Sequence, residues 1–308
     1  MLNILFATDG RQPARAAADL LTRLADPAHV DVTVLHAFEY GNEVFAESYA
    51  RDVLAEAETT FGGAGLPAHL ISVDGDPAIA VEKELAQGEY GLTVLGAGNH
   101  TWLGRLVFGS VSTHVLHVAP TPVLVVHRAP DAGHDRLKVV IGADGSAAVA
   151  HSIDTLIQLS DPGRIEVEVR TVIPTANLAF AAHPGGVVPM TFVEELDRQA
   201  KQRATEHLEA TLERLRSAGI VPHGSFGRGW PGNDLLEHAE RDEADLVVVG
   251  ARGLGVVGRL TMGSVSAHVA RHAPAALVAH ARGHLVETEE IEEPDGDVSS
   301  NRYAARWG

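Results

Sequence analysis

The stretch VVVGARGLGVVGRLTMGSVSAHVA, Val247 to Ala270, has a counterpart earlier in the chain, VLGAGNHTWLGRLVFGSVSTHVL, Val94 to Leu116. Between Gly104 and Pro120 the two match at 11 of 17 positions without a gap, at an offset of 154. A second correspondence links ILFATDG, Ile4 to Gly10, to VVIGADG, Val139 to Gly145, at an offset of 135. The chain is therefore a duplication, and the later copy is longer by 19 residues. The Gly/Pro-rich run PTANLAFAAHPGGVVPM (174–190), which lacks helical or strand periodicity, is the natural place for them. Each copy has ordinary domain size, and a short linker lies near APDAGHD (129–135). We therefore expect one domain over 1–129, a second over 136–282, and an acidic tail over 283–308 too poor in apolar residues to pack.

Short apolar runs alternate with amphipathic stretches in both copies. In the first, strands are expected at Leu2–Thr8, Val30–Ala37, Ala68–Val73, Leu92–Gly96 and Val123–His127. Helices are expected at Ala14–Ala25, Phe45–Phe61, Pro77–Gln87 and Val111–Val118. The second copy offers strands at Leu137–Ala143, Ile165–Val172, His223–Phe226, Leu246–Gly250 and Ala276–His280, and helices at Phe192–Ala218 and Val265–His272. Runs such as VVIGA and LVVVG lack polar alternation, as strands covered on both faces do. Strand–helix alternation with right-handed crossovers gives a doubly wound α/β fold with a mostly parallel sheet. Ligands on such sheets bind beyond the carboxyl ends of the strands, at the topological switch point. Asp144 and Gly250 both close a predicted strand there.

In the second copy Gly250, two residues, Gly253, nine residues and Gly263-Ser264 link a strand to a helix. A glycine after a strand lets a ligand approach the backbone, and another can take positive φ in a turn. Ser264 is a natural N-cap, and the helix start offers amides and a positive dipole end to polyphosphate. Glycines serving turn geometry alone are the competing reading. The spacing between strand and helix, together with Asp144, favours a nucleotide.

These residues resemble the ATP-binding pattern of universal stress proteins, G-x2-G-x9-G-(S/T) with an Asp closing the first strand, and the likeness covers nearly all of residues 1–282. The resemblance implies two five-stranded parallel sheets of order 3-2-1-4-5, adenine nucleotide alpha hydrolase-like, one per copy and packed as a pseudo-dimer. It implies that Asp144 contacts the adenosine part, that the strand end at Val172 faces adenine, and that Gly253, Gly263 and Ser264 hold phosphates. The ligand would be ATP, with Mg as a candidate companion. The first copy matches at Asp9, Ala37, Gly96, Gly109 and Ser110, and departs at Asn99, where the second has Gly253. Thr101 replaces Gly255 and Trp102 replaces Val256, so the first copy is expected to be the weaker site.

Other functions fit less well. The chain has three lysines, Lys83, Lys138 and Lys201, none near either loop, so a Walker-type NTPase is not indicated. A related pyrophosphatase-type enzyme would carry SGG-x-D-S where DGRQP and DGSAA stand. Receiver domains need clustered carboxylates and a partner Lys, and dinucleotide dehydrogenases have their glycines after the first strand. His114 and His117, and His268 and His272, have metal-ligand spacing on a helix, but imidazoles in a last turn also answer the helix dipole. Arg105, Arg252 and Arg259 are candidate phosphate clamps, or surface arginines holding the loop. His36 ends a strand without a nucleophile to activate. No catalytic residue and no metal site is expected, and any ATP hydrolysis should be slow. A net charge of -17 argues against nucleic acid and anionic membrane as partners. The absence of Cys and of a signal-like start fits the cytoplasm. Exposed strands TPVLVVH and APAALVAH suggest pairing between the copies or in a homodimer. The alternative to a nucleotide-binding stress regulator is an interaction scaffold in which nucleotide is structural or absent.

Overall fold

A computed structural model describes residues 1–38, 43–98, 109–174, 190–253 and 262–281. The described residues fall into two compact units, 1–129 and 130–281. Unit one contains β1 (Leu2–Ala7), α1 (Gln12–Leu24), β2 (Val30–Phe38), α2 (Glu43–Gly63), β3 (Ala68–Asp74), α3 (Pro77–Gln87), β4 (Leu92–Gly96), α4 (Ser110–Val118) and β5 (Val123–Val126). Its strands lie in the order β3-β2-β1-β4-β5, all parallel, with Phe6 of β1 in register with Val34 and Val94. Ile4, Leu5 and Phe6 are fully buried, so β1 is the spine of this core.

Unit two repeats the plan with β6 (Leu137–Gly142), α5 (Ala147–Leu159), β7 (Ile165–Ile173), α6 (Met190–Ser217), β8 (Pro222–Arg228), α7 (Pro231–Arg241), β9 (Leu246–Gly250), α8 (Ser264–His272) and β10 (Ala275–Ala279). The order is β8-β7-β6-β9-β10, again parallel. The 3-2-1-4-5 order therefore holds in both copies. Its switch point lies between the first and fourth strands, β1/β4 and β6/β9.

Two helices absent from the sequence expectation, α5 and α7, complete the second copy. Ser146 caps α5 by accepting from Val149 N at 3.2 Å. Pro231 opens α7, where a missing N–H does no harm. Unlike β6 and β9, β7 alternates: Val167, Val169, Thr171 and Ile173 are buried while Glu166, Glu168 and Arg170 are not. Arg170 makes a fork to Asp234 of α7, Nε to Oδ1 at 2.5 Å and Nη2 to Oδ2 at 3.0 Å, which holds the helix on this polar face.

The segment expected to be a linker is anchored. Asp245, 4% exposed, accepts from Asp131 N (2.9 Å) and Lys138 N (2.9 Å) and lies 3.0 Å from His134 Nδ1. The segment ahead of residue 136 packs with unit two, whose compact body reaches back to Pro130. The Gly/Pro-rich insertion over 175–189 and the acidic tail lie outside the described residues.

Candidate functional site

In unit two the chain leaves β6 through Ala143-Asp144-Gly145. Gly145 has φ +76, a conformation that favours glycine, and a Cβ there would also push the His207 ring, 2.4 Å away, out of its place. Asp144 Oδ1 accepts from Ser146 N at 2.9 Å, which fixes the carboxylate at the helix entry. Its other oxygen, Oδ2, would lie 2.7 Å from a Cβ on Gly253. Asp144 and Gly253, 109 residues apart, thus meet across the switch point. Val172 stands next to last in β7, partly exposed, at the same carboxyl edge of the sheet.

The loop after β9 starts and finishes at one place. Gly263 N donates to Ala251 O at 2.8 Å, and Ser266 Oγ donates to Ala251 O at 2.7 Å and to Gly263 O at 3.0 Å. This clasp corrects the expected cap. Gly263, not Ser264, is the N-cap of α8, and Ser264 is the first helical residue, because the bond to Ala251 starts the helix one position earlier. The Gly263 N–H is engaged in the clasp. The amides that helix geometry leaves for an anion are those that follow it, on Ser264 and Val265.

Gly250 answers a different need. A Cβ there would lie 2.7 Å from Val149 N and 2.8 Å from Ala148 Cβ, so this glycine admits the start of α5. Gly96 does the same in unit one, where a Cβ would meet Ala14 N and Pro13 C at 2.3 Å.

Unit one keeps the frame, with a more exposed aspartate. Gly10 has φ +71, Asp9 Oδ1 accepts from Arg11 N at 2.9 Å, and Tyr49 Oη donates to Asp9 O at 2.9 Å. Asp9 is exposed, with Arg11 3.8 Å away, whereas Asp144 is half-buried. Ala37, in register with Val73, lies at the end of β2. Gly109 is the N-cap of α4 and Ser110 its first residue. Ser112 Oγ donates to Gly109 O at 3.2 Å, but among the described residues nothing joins Gly109 or Ser112 to Ala97. The clasp belongs to the second copy. Asn99, Thr101, Trp102 and Arg105, like Gly255, Val256 and Arg259, lie outside the described residues; Arg252 is half-buried at the loop entry.

Two further residues belong to the picture. His36 and Thr171 occupy equivalent positions, each 3% exposed, near the ends of β2 and β7. His36 Nδ1 binds Thr8 O at 2.8 Å, while His36 Nε2 and Thr171 Oγ1 are buried without a hydrogen-bond partner. Polar atoms left so in both copies, one strand away from Asp9 and Asp144, fit a site that a polar ligand or water completes. Their signal in the sequence is a polar residue at the same offset among alternate positions that are otherwise apolar, after Val30, Val32 and Val34 in one copy and Ile165, Val167 and Val169 in the other.

In each histidine pair the second ring bonds a carbonyl one turn back in its own helix: His117 Nδ1 binds Thr113 O at 2.6 Å and His272 Nδ1 binds His268 O at 2.8 Å. His114 does have a carboxylate neighbour, Glu82 at 2.8 Å, which α3 brings from 32 residues upstream.

A doubly wound parallel α/β unit with an aspartate just after its first strand is present here twice. The universal stress protein family model matches residues 1–127 and again 136–279, and this chain belongs to that family. A universal stress protein of Mycolicibacterium smegmatis is 34% identical over 188 residues, 59% of this chain and 58% of that one. Another, from Mycobacterium tuberculosis, is 27% identical over 288 residues, 88% of this chain and 93% of its own length. Among solved structures, a universal stress protein from Archaeoglobus fulgidus superposes with a TM-score of 0.61 at 21% identity, covering 90% of this chain and 98% of that one. At that identity the likeness speaks for the fold.

Proposed function

We propose that this chain is an adenine-nucleotide-binding regulator of a stress response, with ATP held at the switch point of unit two. The observation that carries the reading is the meeting of Asp144 Oδ2 with Gly253, where a Cβ would stand 2.7 Å from the carboxylate. With no side chain on Gly253, the carboxylate and the loop backbone come together at one edge of the sheet, where a ligand can touch both. In this reading Asp144 contacts the ribose end of adenosine, Val172 borders the base, and the Ser264 and Val265 amides take phosphate with Mg²⁺ alongside. Gly250 and Gly263 shape the cradle. Asp9, Ala37, Gly96, Gly109 and Ser110 form the weaker counterpart. With no lysine in either loop, any hydrolysis is slow and occupancy is the signal. No helix among the described residues is long and apolar enough to cross a membrane, and the cytoplasm is the compartment we assign.

Titration calorimetry of the full chain with ATP and with AMP tests this. Asp144→Ala should weaken both nucleotides by a similar factor, on the order of tenfold for one lost hydrogen bond to a charged group. Unchanged binding of both would remove Asp144 from the site. A scaffold role, with nucleotide structural or absent, draws on exposed Phe226 (48%) and Trp230 (43%) in β8 and the turn after it. Protein purified free of adenine nucleotide and silent in both titrations would favour that alternative.

A further inference from the structure

Glu168 of β7 faces His238 of α7 and Asp242, which caps that helix. His238 Nε2 lies 2.8 Å from Glu168 Oε1 and 3.2 Å from Asp242 Oδ2, and the three donor atoms fall within 4.8 Å of one another. His238 is 6% exposed, yet its Nε2 makes no hydrogen bond, so neither nearby oxygen lies along the axis of an Nε2–H. Three donors converging on one point produce this pattern. Around an ion with bonds of about 2.0–2.1 Å, neighbouring ligands stand roughly 3 Å apart. We propose that Glu168, His238 and Asp242 form a binding site for a divalent first-row transition metal, unrelated to the nucleotide loop. The residues i and i+4 on one helix face plus a carboxylate from the adjoining strand supply one nitrogen and two oxygens, a set suited to Zn²⁺ or Mn²⁺ with positions left for water.

The surroundings support it. Ser225 Oγ donates to Glu168 Oε1 at 2.5 Å and orients that carboxylate. The first copy is the internal control. There Thr33, Glu84 and Gly88 occupy the three ligand positions. Tyr90, where the second copy has Ala244, donates its hydroxyl to Glu84 Oε1 at 2.7 Å. Two of three ligands are missing there.

One contact must open. Arg241 Nη2 lies 3.2 Å from His238 Nδ1, and since guanidinium only donates, it keeps the ring proton on Nε2. A metal on Nε2 moves that proton to Nδ1, and the exposed Arg241 side chain swings into solvent.

The test is calorimetric titration of the tag-free full-length protein with Zn²⁺, with ¹⁵N NMR of the histidine rings. One Zn²⁺ per chain should bind at this site. Its affinity should fall at least tenfold in Asp242→Asn and in Glu168→Gln, both checked for native circular dichroism. His268→Ala, which breaks up the His268–His272 pair, should leave it unchanged. His238 should pass from the Nε2–H to the Nδ1–H tautomer on loading. Absence of micromolar Zn²⁺ binding, full affinity in both carboxamide variants, or an unmoved His238 tautomer would overturn the proposal.

Discussion

Gly250 and Gly253 look alike in the sequence, but their missing side chains would strike different things. A Cβ at Gly250 runs into the backbone of α5 at 2.7 Å, which cannot step aside. At Gly253 it meets the far end of the Asp144 side chain, which can rotate. Gly250→Ala should therefore destabilise the protein by about 1–3 kcal/mol, the usual range for overpacking. Gly253→Ala should leave the melting temperature close to wild type and weaken ATP. Thermal unfolding paired with nucleotide titration separates the two, and a large loss of stability in Gly253→Ala would contradict the assignment. Spacing alone announced a loop of glycines, since spacing records chain distance. It could not say that the first of them belongs to helix packing, because that depends on how closely α5 crosses β9. The position of Asp144 was readable for the opposite reason: it closes an apolar run, and the structure places it two residues beyond β6, at the carboxyl edge of the sheet.

Among the elements, the loop after β9 is closed by two donors on one carbonyl, Ala251 O. Ser266→Ala removes one of them and should cost about 1 kcal/mol. ATP affinity in unit two should fall several-fold, because the α8 amides then lose a fixed position. Ser112→Ala, at the equivalent place in unit one, should change little, since its hydroxyl does not reach Ala97. Calorimetry on both variants checks this, and equal effects would mean the clasp does not set the loop. The strands were readable from their apolar runs to within a residue or two. The clasp was not, because it depends on the path by which the loop returns to Ala251, which the spacing of residues does not record. The polar face of β7 was also hidden: Glu168 and Arg170 look like solvent-facing residues until α7 lays Asp234 and His238 over them.

Taken whole, the molecule repeats one fold twice, and the two proposed sites should bind ATP unequally. Asn99 in place of glycine should cost about 1 kcal/mol if it takes positive φ. A blocked phosphate-facing amide adds about 1 kcal/mol. Together these give a ratio of roughly thirtyfold in favour of unit two. The missing clasp in unit one acts in the same direction. Equilibrium dialysis with labelled ATP should resolve two classes of site, and Asn99→Gly should narrow the gap; two equal sites in the unmodified protein would refute the ranking. The duplication also tempts one to divide the chain and study each half alone, and Asp245 decides where the cut must fall. A polypeptide begun at residue 136 retains the Lys138 amide but discards Asp131 and His134, leaving a buried carboxylate short of two of its partners. Begun at Pro130, it takes with it the whole set that keeps that charge solvated by protein.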